Sequence, residues 1–385
     1  KDMTWEKVKL GDVCTVVNGF AFDSKKFNDE KKGIPLIRIR DVIRGYSETF
    51  FDGEYSDDYL INNGDALIGM DGEFNLSIWK GGQAILNQRV CRIFSNYKHL
   101  SQNYLIHFLP IALKEIESRT PFVTVKHLSS KELKNIGIPL PPLSEQIRIA
   151  AILDQADELR RKRRLAVEKL DALLQSVFID MFGDPVSNPK GWEVNSLKSI
   201  TTKIGSGSTP KGGDNAYKDD GIALIRSLNI HDGKFTYKNL AYIDDEQANK
   251  LKNVIIEKND VLLNITGASV ARCCVVPNDV IPARVNQHVA ILRTTKNIIP
   301  EFLMSLLTCQ PMKISLLNIA GAGATREALT KQQLQDLIIL TPPLEQQIKF
   351  LEFYSHIKIL KEKMLTELDY NLFQSLQQKA FNGEL

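Results

Sequence analysis

Two long stretches of the chain repeat apolar residues at helical spacing. In the first, Ile149, Ile152, Ala156, Leu159, Arg163, Ala166, Leu170, Leu173 and Val177 step by three and four without a break, and only Arg163 is polar. The second is looser: Leu344, Ile348, Leu351, Tyr354, Ile357, Leu360, Met364, Leu368, Leu372 and Leu376. A single narrow seam with charged flanks is a heptad pattern and predicts coiled-coil helices rather than ordinary packing on a globular core. Each runs for ~40 residues, about 60 Å at the α-helical rise. Each ends in a related glycine stop, Phe182-Gly183-Asp184 and Phe381-Asn382-Gly383-Glu384.

Ahead of each helix the pattern is mixed. Short apolar, β-branched runs bounded by Gly and Asp predict strands at 34–42, 65–70 and 84–94, and again at 221–230, 260–266, 271–277 and 285–293. Residues 103–118 have helical spacing in Tyr104, Ile106, His107, Leu109 and Leu113. Pro300 suits a first helical turn, and Pro311 predicts a break or kink soon after it.

The chain says all of this twice. Trp5 matches Trp192, Ile37-Arg38 matches Ile225-Arg226, and Gly64–Ile68 matches Asn259–Leu263. Asn87-Gln88-Arg89-Val90 then matches Asn286-Gln287-His288-Val289, Leu128 matches Leu329, and Pro141–Ile147 matches Pro342–Ile348. The order never breaks and the separation only drifts, so two homologous units differ in loop length. Ser129-Ser130-Lys131-Glu132 and Thr330-Lys331-Gln332-Gln333 are both capping boxes. Each predicts a short helix feeding a strand, at 136–139 and 337–340. The expected fold is two tandem mixed α/β (α+β) domains, at 1–142 and 185–341. Each is followed by a helix, at 143–184 and 342–385. The helices pair as an antiparallel coiled coil with pseudo-two-fold symmetry.

Composition adds boundaries. The net charge of +3 permits nucleic-acid binding without arguing for it. The five cysteines (14, 91, 273, 274 and 309) show no C-x-x-C spacing and read as reduced, buried thiols in a cytoplasm. No apolar run reaches the ~18 residues a bilayer span needs, and the N-terminus lacks a signal-peptide pattern.

With the doubled PPLxEQ-I helix starts (141–147 and 342–348), the Asp65-Ala66-Leu67-Ile68 and Asp260-Val261-Leu262-Leu263 strands and the two Asn-Gln pairs in order, the chain resembles the specificity (S) subunit of type I restriction–modification systems. A Trp near each unit's start, in Trp5-Glu6 and Trp192-Glu193, adds to it. The resemblance covers almost the whole chain. It implies two target-recognition domains, each reading one half of a split double-stranded DNA target. It implies helices that set the spacer and dock two methyltransferase (M) subunits, and restriction/translocase (R) subunits that can join. It implies no catalysis and no cofactor on this chain, with S-adenosylmethionine and ATP/Mg bound by the partners, in a bacterial or archaeal cytoplasm.

The sequence carries no complete catalytic constellation beside these motifs. The double prolines, Leu140-Pro141-Pro142-Leu143 and Thr341-Pro342-Pro343-Leu344, lack the Asn/Asp before and the aromatic after that an adenine methyltransferase needs. A stiff lead-in from strand to helix accounts for them. The glycine-rich segment 205–213 fails P-loop spacing. The histidines (99, 107, 127, 231, 288 and 356) show no metal spacing. Glu132-Leu133-Lys134 could be half of a nuclease motif, but capping accounts for Glu132.

DNA reading needs hydrogen-bonding side chains at groove edges and cations on phosphates. Loops beside rigid strands supply the candidates. In the first unit they are Ser24, Lys25, Lys26, Arg38, Arg40, Asp71, Glu73, Asn75, Gln88 and Arg89. In the second they are Ser206, Ser208, Thr209, Lys211, Arg226, Asn229, Thr266, Ser269, Arg272, Gln287, Thr325 and Arg326. Residues kept in both units can serve the shared scaffold, as Asn87 and Asn286 are expected to. Base readers should differ, which favours the loops after 65–70 and 260–266. The basic run Arg160–Arg164 either faces DNA or an acidic partner, or is a solvated helix face. The other functions weighed are a coiled-coil adaptor binding protein only, and a self-sufficient DNA-modifying enzyme.

Overall fold

The computed structural model describes residues 5–119, 126–210, 216–321, 327–365 and 368–385, with the side chains of 368–371 outside the description. The chain divides into two compact units, Lys1–Arg163 with Thr366–Leu385, and Arg164–Leu365.

In the first unit the elements are β1 (Lys7–Lys9), β2 (Cys14–Asn18), β3 (Ile34–Ile37), α1 (Ile39–Arg44), β4 (Ala66–Gly69), β5 (Leu76–Ile78), β6 (Ala84–Leu86), β7 (Val90–Ser95), α2 (Gln102–Arg119), α3 (Ser130–Asn135) and β8 (Gly137–Pro139). Strands β2-β7-β4-β5 form an antiparallel sheet. Successive side chains of β4 take opposite faces. Ala66 and Ile68 join Tyr104, Leu105 and Leu109 of α2, while Leu67 joins Ile37, Val42, Trp79 and Leu86. Burial on both faces is why β4 reads as a continuous apolar run rather than an alternating one. Strands β3 and β6 pair in parallel, Leu36 opposite Ile85. Strands β1 and β8 tie the two ends of the domain together.

The second unit repeats this with β9 (Val194–Ser196), β10 (Thr201–Ser206), β11 (Ile222–Ile225), β12 (Val261–Asn264), β13 (Cys273–Val275), β14 (Ala283–Val285), β15 (Val289–Thr294), α4 (Pro300–Thr308), α5 (Gln310–Gly321), α6 (Lys331–Asp336) and β16 (Ile338–Leu340). The antiparallel sheet is β10-β15-β12-β13, β11 and β14 are parallel, and β9 pairs with β16. Val261 and Leu263 face Phe302 and Leu303 of α4, and Leu262 faces Leu224, Ile225 and Val285.

Four expected strands are shorter than the sequence predicts or are interrupted. The run 34–42 is strand only to Ile37, because Asp41 Oδ2 accepts the Arg38 N–H at 2.9 Å and starts α1. Ile39, Val42 and Ile43 already carry helical spacing. The run 221–230 stops at Ile225 for the same reason, with Asn229 Oδ1 accepting the Arg226 N–H at 3.0 Å. The runs 84–94 and 285–293 each contain a turn at their Asn-Gln pair. At Cys309, two residues before Pro311, the helix divides into α4 and α5, bent by 71°. No single described helix is long and apolar enough to cross a membrane. All five cysteines are free and buried.

The long helices are α7 (Leu143–Phe182), α8 (Leu344–Met364) and α9 (Leu368–Asn382). In the first unit, Arg148 Nη2 reaches the Leu385 carbonyl at 2.9 Å and Arg160 lies 4.2 Å over the Phe373 ring, so α7 and α9 are antiparallel. Phe381 stacks on Tyr104 and Phe108 and closes that core. In the second unit, Asp171 pairs with Lys361 and Phe178 packs edge-on to Phe350, again antiparallel.

The expected seam holds at Ile149 and Ile357, which are buried, and at Val177, Tyr354 and Leu376, which pack on the cores, but needs correction elsewhere. Leu159 and Leu173 are 67% and 45% exposed, and Arg163 is exposed, as are Ile348, Leu360 and Leu372. Along the middle of α7 the inward row lies one position on, at Leu153 and Arg160 in the first unit and at Val167 and Leu174 in the second, where Phe350, Ile357 and Lys361 are likewise turned in. Adjacent rows of a helix both carry apolar residues here, and the bulky aromatics Phe178, Phe350 and Phe373 fix which one turns inward. Arg160 enters because its stem and guanidinium pack on Phe373. The rest of the basic run is partly balanced along the helix: Glu158 binds Arg161 at 2.7 and 2.8 Å, which pulls its carboxyl down to about 2, and lies 3.5 Å from Lys162.

The doubled PPL motif carries a buried glutamine. Gln146 donates to the His99 and Pro141 carbonyls at 2.7 and 2.8 Å and accepts the Ser101 N–H at 2.8 Å. Gln347 makes the matching bonds to Asn297, Pro342 and Ile299 at 3.1, 2.8 and 2.9 Å. Each glutamine fastens the start of a long helix to the loop before the domain's own helix. Gln347→Ala leaves three backbone groups without that partner and is expected to destabilise the second unit by about 2–4 kcal/mol. An earlier urea transition checks this; an unshifted one refutes it.

Both capping boxes form. Ser129 and Glu132 satisfy each other's backbone N–H at 3.2 and 2.9 Å, as Thr330 and Gln333 do at 3.2 and 2.8 Å. The Ser129 hydroxyl and N–H hold Glu132 below the usual carboxylate range. A folded-state pKa below the unfolded one contributes stability above the ordinary Glu value, and loses it as pH falls through the folded value. The first unit should therefore lose this cap in acid while the second, capped by neutral Gln333, keeps its own. Glu132→Gln should flatten the acid limb of the first unit's unfolding curve; an identical limb in both proteins refutes the assignment.

Candidate nucleic-acid interface

The Asn-Gln turn lies at one end of each antiparallel sheet, and the same backbone bonds build a junction around it twice. Asn87 N–H donates to the Ile37 carbonyl at 3.1 Å, and Asn286 N–H to Ile225 at 3.2 Å. The loop after β4 is held by Met70 N–H to Arg89 O (2.9 Å), Gly72 N–H to Lys126 O (2.8 Å) and Leu128 N–H to Met70 O (2.7 Å). The loop after β12 is held by Ile265 N–H to His288 O (2.9 Å), Gly267 N–H to Glu327 O (3.0 Å) and Leu329 N–H to Ile265 O (2.8 Å). The loop after the first sheet strand presses in from the other side. A Cβ at Gly19 would stand 2.0 Å from the Asn87 carbonyl, and one at Gly207 1.8 Å from the Val285 carbonyl, so only glycine fits.

On this shared backbone the side chains differ. In the first junction the Asp71 carboxylate sits between two cations or donors: His127 Nδ1 lies 2.5 Å from Oδ1, and Arg89 Nε 3.4 Å from Oδ2. Arg89 Nη1 is also 3.1 Å from His127 Nδ1. That nitrogen cannot accept from Arg89 while its proton is given to Asp71, so the carboxylate holds the group together. Arg89 has φ 74°, in the left-handed region a non-glycine residue seldom adopts. In the second junction Thr266 Oγ1 lies 2.5 Å from His288 Nδ1, His288 Nε2 lies 3.1 Å from Gln287 Nε2, and Thr209 bonds Gln287 Oε1. The matched positions are thus Asp71 and Thr266, Arg89 and His288, His127 and Ala328, and Lys126 and Glu327. One junction is built on a carboxylate between arginine and histidine, and the other on a hydrogen-bonded chain through threonine, histidine and glutamine.

Of the first-unit candidates, Asp71 and Arg89 meet in the junction, Gln88 sits on its turn, and Glu73 and Asn75 lie on the loop it anchors. Gln88 is exposed, its N–H held by the Phe20 carbonyl at 2.9 Å. Arg38 is exposed next to the Ile37 carbonyl that holds the turn. Arg40 reaches Thr49 Oγ1 at 3.3 Å. Ser24, Lys25 and Lys26 form an exposed 3-10 turn capped by Asp23.

Of the second-unit candidates, Thr209, Thr266 and Gln287 meet. Ser206 is half-buried at the end of β10 beside exposed Ser208. Ser269 accepts from Asn264 Nδ2 at 3.1 Å, and Arg272 is half-buried after it. Lys211, Thr325 and Arg326 lie outside the described residues.

Asn229 is a correction: it is fully buried, accepting from Arg226 and donating to Thr236 O at 3.0 Å, and takes the place Asp41 has in the first unit. It organises a turn and cannot reach a groove. Arg226 is half-buried, with its guanidinium 4.9 Å from the Tyr217 ring and donating to Asn239 O at 2.6 Å, so the matched pair Arg38 and Arg226 differ in surroundings. His127, His288 and Phe20 were missed. Phe20 is 50% exposed at the rim, and its N–H donates to the Leu86 carbonyl at 3.0 Å. The repeat alignment already matched position 288 with Arg89, and His127 stands one residue before the matched Leu128.

Comparison with known proteins identifies the architecture. The family model for the type I restriction modification DNA specificity domain matches twice, over residues 3–169 and 189–370. The chain belongs to this family. A relative with 32% identity is the type I restriction enzyme EcoBI specificity subunit of Escherichia coli, over 99% of this chain and 86% of that one. The MjaVIII specificity subunit of Methanocaldococcus jannaschii is 24% identical over 89% and 83%. Among solved structures, the S subunit of a type I restriction–modification system from M. genitalium superposes with TM-score 0.53 at 14% identity, covering 99% of this chain and 97% of that one. A chain from a structure of type I complex assembly gives 0.58 at 20% identity, covering 100% and 99%. These two likenesses show the fold. The family match accounts for the repetition: a specificity-domain chain with two matched regions has two junctions of one backbone design and two sets of side chains.

Proposed function

We propose that the chain is the DNA-reading subunit of a type I restriction–modification complex and performs no chemistry itself. Each domain reads one half of a bipartite double-stranded target at its Asn-Gln junction. The long helices set the gap and dock two methyltransferase subunits, and restriction/translocase subunits join that assembly in a bacterial or archaeal cytoplasm. S-adenosylmethionine and ATP/Mg belong to the partners.

The observation that carries this reading is the doubled junction. Its backbone bonds are the same in both units, and its outward side chains are not. A structural role alone would favour keeping the side chains with the bonds. Two readers of different half-sites must keep the scaffold and vary the donors and acceptors it presents. Arg38, Lys25 and Lys26 supply exposed cations for phosphate contacts, which set register and salt dependence rather than sequence.

Methylome sequencing of cells carrying the chain with its methyltransferase subunits tests this. The expected result is methylated adenine within one bipartite motif, absent when the chain is deleted. Methylation that persists without the chain, or turnover by the purified chain alone with S-adenosylmethionine, would overturn it.

A further inference from the structure

We propose that Arg89, braced by Asp71 together with His127, reads a guanine in the half-site of the first domain, and that Thr266, His288 and Ala328 give the second domain a different preference at the matched position. This rests on the DNA-reading function above and adds the residues and the base.

The geometry favours a base contact over a phosphate contact for Arg89. Its side chain is half exposed, and the pairing to Asp71 is through Nε, on the inner side of the guanidinium. The carboxylate is itself fixed by His127 Nδ1 at 2.5 Å. With Nε on Asp71 and Nη1 3.1 Å from His127 Nδ1, the half-exposed guanidinium has its Nη2 end for the DNA, and guanine offers the acceptors O6 and N7 in the major groove. A carboxylate beside a phosphate-binding arginine would repel the phosphate, whereas beside a base edge it aligns the fork. The left-handed backbone at Arg89 places the side chain on the outside of a turn anchored through its own carbonyl to Met70.

The matched site in the second domain cannot do the same. His288 has no guanidinium fork, Ala328 has no imidazole, and Thr266 carries no charge. If the Gln287 amide N–H donates to His288 Nε2, the proton on Nδ1 goes to Thr266 Oγ1, and the threonine hydroxyl is left as an outward donor. One neutral donor suits several base edges, so a strict guanine requirement is not expected there.

The test uses the full chain assembled with its methyltransferase subunits and a library of randomised duplexes. Wild type should select two half-sites. Arg89→Gln should lose guanine preference at one base pair of one half-site by about ten- to a hundredfold. The other half-site, the gap and the salt dependence should not change. Asp71→Asn and His127→Gln should weaken the same preference by less. The triple variant T266D/H288R/A328H should gain guanine preference at the matched position of the other half-site. Selection of an unchanged motif by Arg89→Gln overturns the proposal, as does weakening that is uniform across sequences with a shallower salt slope, the mark of a phosphate contact. If wild type itself selects no bipartite motif, the DNA-reading function fails first and is told apart from failure of the base assignment.

Discussion

Phe178→Ala is expected to destabilise the second unit by about 3–5 kcal/mol. Phe178 is 1% exposed and touches three other rings, Phe182, Phe302 and Phe350, with centroids 5.0, 5.7 and 5.4 Å away. These come from the end of α7, from the domain helix α4 and from the start of α8. No neighbour can collapse into the space without leaving its own ring contacts, so the cavity stays and its cost adds to the lost transfer energy. A loss of that size is a large share of a domain's stability. The variant should unfold in its second unit at lower urea and fail to assemble with methyltransferase subunits, while the first unit's transition stays in place. Leu159→Ala on the same helix, with its side chain 67% exposed, should shift nothing measurable. Equal effects from the two variants would contradict the packing described.

Exchanging residues 1–142 for those of a relative with another target should move one half-site and leave the other. The exchanged segment holds the whole first junction, from Gly19 through Asn87–Arg89 to Leu128, together with the β1–β8 pair that closes the domain. Its packing with the long helices runs through Ile149, Ala150, Leu153, Phe373, Leu376, Ala380 and Phe381, with one side-chain bond from His107 to Asp154 at 2.7 Å, and the Gln146 bonds go only to backbone groups on the domain side. A related domain can therefore dock without repacking the helix. Specific sites bind roughly 10³-fold or more tighter than non-specific DNA, so duplexes carrying the original first half-site should lose affinity on that scale. Loss of both half-sites together would mean that the domains do not read independently.

Much of this was legible because the chain repeats itself. The capping boxes and the PPL helix starts fix local structure through bonds to their own neighbours, so their residue types reveal them. The strand cores reveal themselves too, since burial on both faces leaves an unbroken apolar run at 66–68 and 261–263. What sequence periodicity could not decide is which of two adjacent apolar rows turns inward on α7, because the row through Leu159, Ala166 and Leu173 and the row through Val167 and Leu174 lie one residue apart and fit the same spacing rule. That choice is made by aromatic rings distant in sequence.

Site residues divide the same way. Gln88, Arg89, Thr266 and Gln287 are legible as candidates because the repeat marks their positions and the loops around them diverge. Asn229 was misjudged because an exposed amide and a turn-forming amide look alike in sequence. His127 and His288 were passed over because no metal or nucleophile spacing drew attention to them, and their role depends on Asp71 and Thr266, far away along the chain.

The central claim is that two readers act on one DNA at a fixed interval. Binding of the chain, assembled with its methyltransferase subunits, should be measured on duplexes that keep both half-sites and change only the number of base pairs between them. A single gap should bind tightly, and one or two base pairs more or fewer should weaken binding by at least tenfold. Equal binding at every gap, or undiminished binding after one half-site is scrambled, would contradict the account.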